Sequence, residues 1–153
     1  MRIALGSDHG GYELKEHLLR ILAGQHELVD VGTEGPDSVD YPDYAMKVAR
    51  LVAKGEVDRG ILMCSTGVGM SIAANKVAGI RAALAFDLYT AAQSRRHVDA
   101  NILVLGAQVT GKGLAVEMVM TWLATPFEGG RHQRRIDKIG RLDDDFHGCP
   151  QGQ

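Results

Sequence analysis

The sequence predicts an α/β domain, a parallel sheet of five short strands with helices on both faces. Short apolar runs alternate with helical-period segments along the whole chain. The run Gly60–Met63 carries no charge, as a strand buried on both faces should not. The 153 residues have one composition and no repeats or long linker, which fits one domain able to bury roughly two-thirds of its unfolded surface.

The elements follow in order. Ile3–Leu5 reads as the first strand and ends in Gly6-Ser7-Asp8-His9-Gly10-Gly11. Tyr12–Ala23 has Leu14, Leu18, Leu19 and Leu22 at helical spacing. Leu28–Val31 is a strand, and Gly32–Pro42 a loop punctuated by Gly32, Gly35, Pro36 and Pro42. Ala45, Val48, Ala49 and Val52 mark a helix ending near Gly55. Gly60–Met63 is the third strand, Cys64–Gly69 a turn, and Met70–Val77 a helix. Ile80–Ala85 is a strand, and Asp87–Arg96 a helix with Asp87 as N-cap. Ile102–Leu105 is the fifth strand and Leu114–Leu123 a helix. Arg131–Ile139 is a short basic helix, so the domain is expected over residues 1–142 with a loose tail over 143–153.

Composition narrows the function classes. Net charge is −2 and the pI about 6.3, which argues against a general nucleic-acid or membrane footprint. No apolar run reaches the roughly 18 residues of a membrane span. The N-terminus reads as a strand, not a signal peptide. The two cysteines, Cys64 and Cys149, fit a reducing cytosol better than a disulfide framework.

In parallel sheets ligands bind at strand carboxyl ends. Three segments there carry chemistry: Ser7-Asp8-His9, Cys64–Gly69 and Gly106–Gly113. The last nearly spells a P-loop, but Gly113 stands where Ser or Thr would hold Mg²⁺. Gly67-Val68-Gly69 lacks the third glycine of a dinucleotide fingerprint, because Ile72 occupies its place. In Cys64-Ser65-Thr66-Gly67-Val68-Gly69, the glycines let amides converge where a helix begins, a setting that attracts anions and activates a thiolate. The alternative is a small buried core cysteine in a plain turn.

His9 and His97 are candidate acid/base groups; as alternatives, His9 is an exposed residue of an Asp-capped turn and His97 serves only the helix dipole. None of the six histidines has metal-ligand spacing to another His or Cys, so no metal is expected. Arg131 and Arg135 share a helix face and suit a phosphomonoester, or form a solvated basic face. A cysteine phosphatase is disfavoured, since Met70 stands where its loop needs Arg.

Taken together, the motifs resemble the type B ribose-5-phosphate isomerase and galactose-6-phosphate isomerase family. They are Gly6-Ser7-Asp8-His9-Gly10-Gly11, Asp40-Tyr41-Pro42, Cys64 through Lys76, Gly79-Ile80-Arg81-Ala82, Ser94 through His97, Asn101 through Gly106, and Glu128 through Arg135. The resemblance implies a Rossmann-like three-layer sandwich, a homodimer or tetramer with active sites at the subunit interface, and no cofactor or metal. It implies interconversion of D-ribose 5-phosphate and D-ribulose 5-phosphate. Cys64 is then the base that moves the proton between C1 and C2. Thr66 and the amides of Ser65, Gly67, Val68 and Gly69 hold the enediolate charge. His97 opens the sugar ring with Asp8 as helper, and His9, Arg131 and Arg135 hold the phosphate. Relatives that lack the Cys use a later Glu, a place taken here by Met70.

Three positions depart from the family pattern. Ser65 stands where Gly is common, Val98 where Asn follows the catalytic His, and Gln108 where Arg is common. The lost polar groups make another sugar phosphate the alternative substrate: erythrulose 4-phosphate, allose 6-phosphate or galactose 6-phosphate. Two rival classes carry less. A non-catalytic partner subunit conflicts with the presence of Cys64, Thr66, His97 and both arginines. A nucleic-acid module over Arg131–Lys138 has no interleaved aromatic residues.

Overall fold

A computed structural model describes the backbone of residues 1–147 and the side chains of residues 1–145. Five strands pair in parallel: β1 (Arg2–Ser7), β2 (Glu27–Asp30), β3 (Arg59–Cys64), β4 (Ala82–Leu84) and β5 (Ile102–Gly106), in the order β2-β1-β3-β5-β4. The helices are α1 (Tyr12–Leu22), α2 (Tyr41–Ala53), α3 (Val68–Ala74), α4 (Leu88–Val98), α5 (Lys112–Ala124) and α6 (Arg131–His147). The expected sheet is therefore present, with an apolar core on each face.

On one face, Leu14, Leu18 and Leu22 of α1 and Met118, Val119 and Trp122 of α5 pack on Ile3, Leu5, Ile61 and Leu103. On the other, Ala45, Val48 and Ala49 of α2 and Met70 and Ala74 of α3 pack on Ala4, Leu62 and Val104. The strand residues alternate between the two cores, which is why their runs are apolar throughout. Within α1, Lys15 is also buried. Its ammonium pairs with Asp30 at 2.5 Å and Glu16 at 2.9 Å, tying α1 to the end of β2.

Several boundaries differ from expectation for local reasons. Tyr41 and Pro42 open α2 instead of closing the preceding loop; proline is tolerated in a first turn, where its missing N–H has no partner to lose. α3 begins two residues earlier than predicted and stops at Ala74, where the Asn75 side chain donates to the Ser71 and Ala82 carbonyls. β4 is only three residues long, since the Asn101 and Asn75 side chains take the Arg81 and Ala82 amides. Asp87 caps α4 as expected, accepting from the Thr90 N–H at 2.7 Å. α6 runs on through His147, so Asp143–His147 are helical, not loose tail; Cys149 lies outside the described residues.

The core places a clear demand on Trp122, which is fully buried beneath the Arg95 guanidinium. Trp122→Ala is expected to lower stability by about 3–5 kcal/mol in urea denaturation, and Trp122→Phe by less than half of that.

Candidate active site

The strand order reverses between β1 and β3, because β2 lies to one side of β1 and all later strands to the other. The carboxyl ends of β1 and β3 therefore open the crevice where such sheets bind ligands. β1 delivers Asp8 and His9 there, and β3 ends on Cys64.

Asp8 is buried, and its Oδ1 accepts from the Gly11 N–H at 3.1 Å. His9 is exposed, and its Nδ1 accepts from the Val39 N–H at 3.2 Å, which leaves Nε2 to face a ligand. This turn lies directly against β3. A Cβ on Gly10 would sit 2.3 Å from Ser65 Oγ, and one on Gly11 2.4 Å from the Met63 carbonyl oxygen.

Cys64 is buried and unpaired, and its Sγ accepts from the Gly67 N–H at 3.1 Å. Gly67 has φ +82°, a left-handed conformation that suits glycine. Thr66 is exposed, its Oγ1 accepting from the Val68 N–H at 3.3 Å. Gly69 leaves room for the Tyr41 ring, which a Cβ would meet at 2.6 Å. Behind this loop, the Ala107 and Gln108 amides donate to the Cys64 and Ser65 carbonyls at 2.8 and 2.9 Å. A cleft of about 580 Å³ opens beside it, lined by His9, Tyr12, Pro36, Gln108 and Lys112 among others. Gly106–Gly113 thus buttresses the cysteine loop and lines the cleft.

The remaining predicted residues gather elsewhere. His97 and Val98 end α4, and Arg131 and Arg135 lie exposed on the first turns of α6. Among the described residues neither arginine has an ion-pair partner. The His97 ring stacks on His132 with centroids 4.2 Å apart and planes 9° from parallel. Glu128 Oε2 lies 4.0 Å from His97 Nε2 and 3.7 Å from His132 Nε2. Burial holds His132 below its ordinary value, helped by the facing His97 and the Arg131 and Arg135 guanidiniums and opposed by Glu128.

Asp99 closes α4. It adopts φ +46° and grips Arg95 at 2.7 Å and Arg81 at 3.3 Å. Arg81 in turn donates to the Val98 and Asp99 carbonyls at 2.9 and 3.0 Å, so the helix end bearing His97 is tied to the start of β4.

These two groups lie at opposite ends of the strands. The end of α4 leads into the amino end of β5, where the Asn101 carbonyl accepts from Gly60 at the start of β3. Cys64 pairs with Gly106 at the other end of β5. The four residue steps from Ile102 to Gly106 span about 13 Å of strand. Within one chain, Asp8, His9, Ser65, Thr66, Gly67, Val68 and Gly69 gather around Cys64, while His97, Val98, Arg131 and Arg135 form a second group.

One arrangement escaped the sequence reading. His97, Glu128 and His132 bring three donor atoms within 4.8 Å, although 35 residues separate the two histidines and no spacing rule links them. A metal sits in the plane of a ligating imidazole. With parallel stacked rings, an ion in one plane lies a stacking distance out of the other, so the arrangement as it stands suits proton exchange better than ligation. Lys112 and Tyr41 also went unassigned. Lys112 lines the cleft, and the Tyr41 ring fills the space beside Gly69.

A model of the Ribose/Galactose Isomerase family matches residues 3–139. The chain belongs to that family. It is 48% identical over 143 residues to "Ribose-5-phosphate isomerase B" of Escherichia coli, covering 93% of this chain and 96% of that protein. A ribose-5-phosphate isomerase B structure from Clostridium thermocellum superposes with a TM-score of 0.94 at 53% identity, covering 95% of this chain and 99% of that one. The enzyme from Mycoplasma genitalium, crystallised with bound ribulose-5-phosphate, gives a TM-score of 0.91 at 44% identity, covering 94% and 97%. Family membership confirms the α/β architecture anticipated from the motifs. Among the described residues, no helix is long and apolar enough to cross a membrane.

His132 carries a consequence for stability. Its folded value lies below the ordinary 6.5, so on acidification the unfolded chain takes up a proton first. The stability present above pH 6.5 is lost as pH falls toward the lowered value. His132→Phe is expected to flatten this acid limb in pH-dependent urea denaturation.

Proposed function

We propose that this chain interconverts D-ribose 5-phosphate and D-ribulose 5-phosphate. The observation that carries this reading is Cys64 at the strand-order reversal, its sulfur facing the Gly67 amide and Asp8 and His9 on the neighbouring strand end. Near-full-length similarity to enzymes named ribose-5-phosphate isomerase B supports it.

In this mechanism His97 gives a proton to O4 as the C1–O4 bond breaks and takes the proton of the sugar's anomeric hydroxyl, giving the open-chain aldehyde. Asp8 assists and contacts the sugar hydroxyls. The Cys64 thiolate removes the C2 proton, and the electron pair moves through C1=C2 onto O1. Thr66 and the amides of Ser65, Gly67, Val68 and Gly69 face the enediolate charge, the term that typically lowers such barriers most. The thiol then protonates C1. The O2 hydroxyl gives up its proton as C2=O forms, and O1 gains one. No electrons leave the substrate, so the chemistry requires no redox cofactor. His9, Arg131 and Arg135 hold the phosphate and keep the reacting carbons in register. A thiolate base of this kind fits the reducing cytoplasm.

Because the Cys64 and His97 groups lie at opposite ends of the strands, the proposed site takes one group from each of two copies. A homodimer or a tetramer of dimers provides this. Neither a membrane nor nucleic acid enters the reaction. Gln108, which lines the cleft beside His9, supports a second reading in which the same chemistry acts on erythrulose 4-phosphate, allose 6-phosphate or galactose 6-phosphate.

Cys64→Ala is expected to lower ribose 5-phosphate turnover about 10³-fold or more. Unfolding and refolding an equal mixture of Cys64→Ala and His97→Asn chains should restore about a quarter of wild-type activity, since half the dimers are mixed and each holds one intact site. A mixture as inactive as its parents overturns the shared site. The substrate readings part on Val98→Asn combined with Gln108→Arg. If ribose 5-phosphate is the substrate, kcat/KM changes less than about threefold; if another sugar phosphate is, the double variant gains about tenfold or more on ribose 5-phosphate.

A further inference from the structure

We propose that His132 and Glu128 are positioning residues for His97: His132 fixes the plane of the His97 ring by stacking on it, and Glu128 keeps the exchangeable proton on His97. This deepens the reading above and rests on its assignment of ring opening to His97.

The geometry separates the two histidines. The His97 side chain is 42% exposed, whereas that of His132 is 7% exposed. Their Nε2 atoms face one carboxylate oxygen, Glu128 Oε2, from adjacent parallel planes. Two imidazoliums in face contact repel, so the pair holds one proton, and the carboxylate favours that singly protonated state. Charging the buried ring sacrifices more hydration than charging the open one. The proton therefore resides on His97, the ring able to reach substrate, and the depressed value of His132 points the same way. The charged groups facing the pair are Arg96 on α4, Glu128 on the loop before α6, and Arg131 and Arg135 on α6.

The carboxylate is itself held in place. The Glu128 N–H donates to the Arg96 carbonyl at 3.1 Å, and Arg96 Nε lies 3.9 Å from Glu128 Oε1. Gly129 and Gly130, at φ +65° and +57°, then reverse the chain so that the His132 N–H reaches the Gly129 carbonyl. The turn thus presents the carboxylate and the second imidazole to α4 together.

The test separates ring opening from proton abstraction. Ribulose 5-phosphate cannot close to a furanose, because O5 carries the phosphate. Deuterium uptake at its C1 in D₂O, followed by NMR, therefore needs enolisation but no ring opening. Wild type, Glu128→Gln, His132→Ala and His132→Phe are compared for this exchange and for turnover of ribose 5-phosphate across pH. Glu128→Gln and His132→Ala are expected to lower ribose 5-phosphate turnover about tenfold while C1 exchange stays within about twofold. In Glu128→Gln the alkaline limb of the turnover profile moves to lower pH, because His97 loses the negative charge that favours its protonated form. His132→Phe, which can still stack, recovers most of the loss seen in His132→Ala.

Turnover and alkaline limb unchanged in Glu128→Gln overturn the proposal. So does a loss of C1 exchange matching the loss of turnover, which marks general structural damage. His97→Asn is the control for the underlying reading. If it turns over ribose 5-phosphate like wild type, the ring-opening assignment fails and the positioning role with it; if it is impaired while the Glu128 and His132 variants are not, only the positioning role fails.

Discussion

Strand β3 is hydrogen-bonded on both sides, to β1 and to β5, and the register of those two ladders decides where every group of the cysteine site stands. Met63 lies opposite Ser7 and Cys64 opposite Gly106. A slip of one residue on either side would move alternate side chains to the other core. The register resists such a slip because Leu62 and Ile61 fill different cores. The placement of Cys64 is thus inherited from apolar packing below it.

Above the strand ends, backbone takes over from side chains as the positioning material. The turns after β1, β3 and β5 come closer together than side chains would permit. Gly10 and Gly11 lie against Ser65 and Met63, and a Cβ on Gly106 would be 2.6 Å from the Thr66 carbonyl. This closeness keeps Asp8, His9 and the cysteine loop in one neighbourhood. It also explains how Ser65 fits beside Gly10. Its hydroxyl occupies the space that the missing Gly10 side chain leaves.

The amino end of the sheet is organised by charge. Asp99 holds Arg95 and Arg81, Glu128 lies within ion-pair reach of Arg96, and the paired histidines stand between α4 and α6. Arg59, at the start of β3, is lowered from its ordinary value chiefly by burial and then by Arg95. Several cations therefore crowd one end of the sheet while Arg131 and Arg135 stay open to solvent. A surface with unsatisfied guanidiniums beside an imidazole is poised for an anion. In the proposed assembly that anion comes with the cysteine group of a second copy. The proposed division of one site between the two ends of the strands would make dimerisation part of the chemistry.

Much of this was legible in the residues alone. Unbroken apolar runs such as Gly60–Met63 specify strands buried on both faces, and the spacing of Leu14, Leu18 and Leu22 specifies the helix that covers one of them. These are local periodicities, and periodicity is what a linear sequence records. The glycines around Cys64 also announced a close backbone approach. The ends of α3 and β4 were not legible, because the side chains of Asn75 and Asn101 outcompete the ladder for backbone partners, and those partners are chosen in three dimensions. His132 looked like one more residue of a basic helix until α6 folded back onto α4 and laid it on His97. The sequence by itself determined the elements, their buried faces and the types of reactive groups. Tertiary structure alone decided that those groups divide between the two ends of the strands. Which end a group occupies depends on strand pairing and helix direction, which arise from packing between segments far apart in the chain.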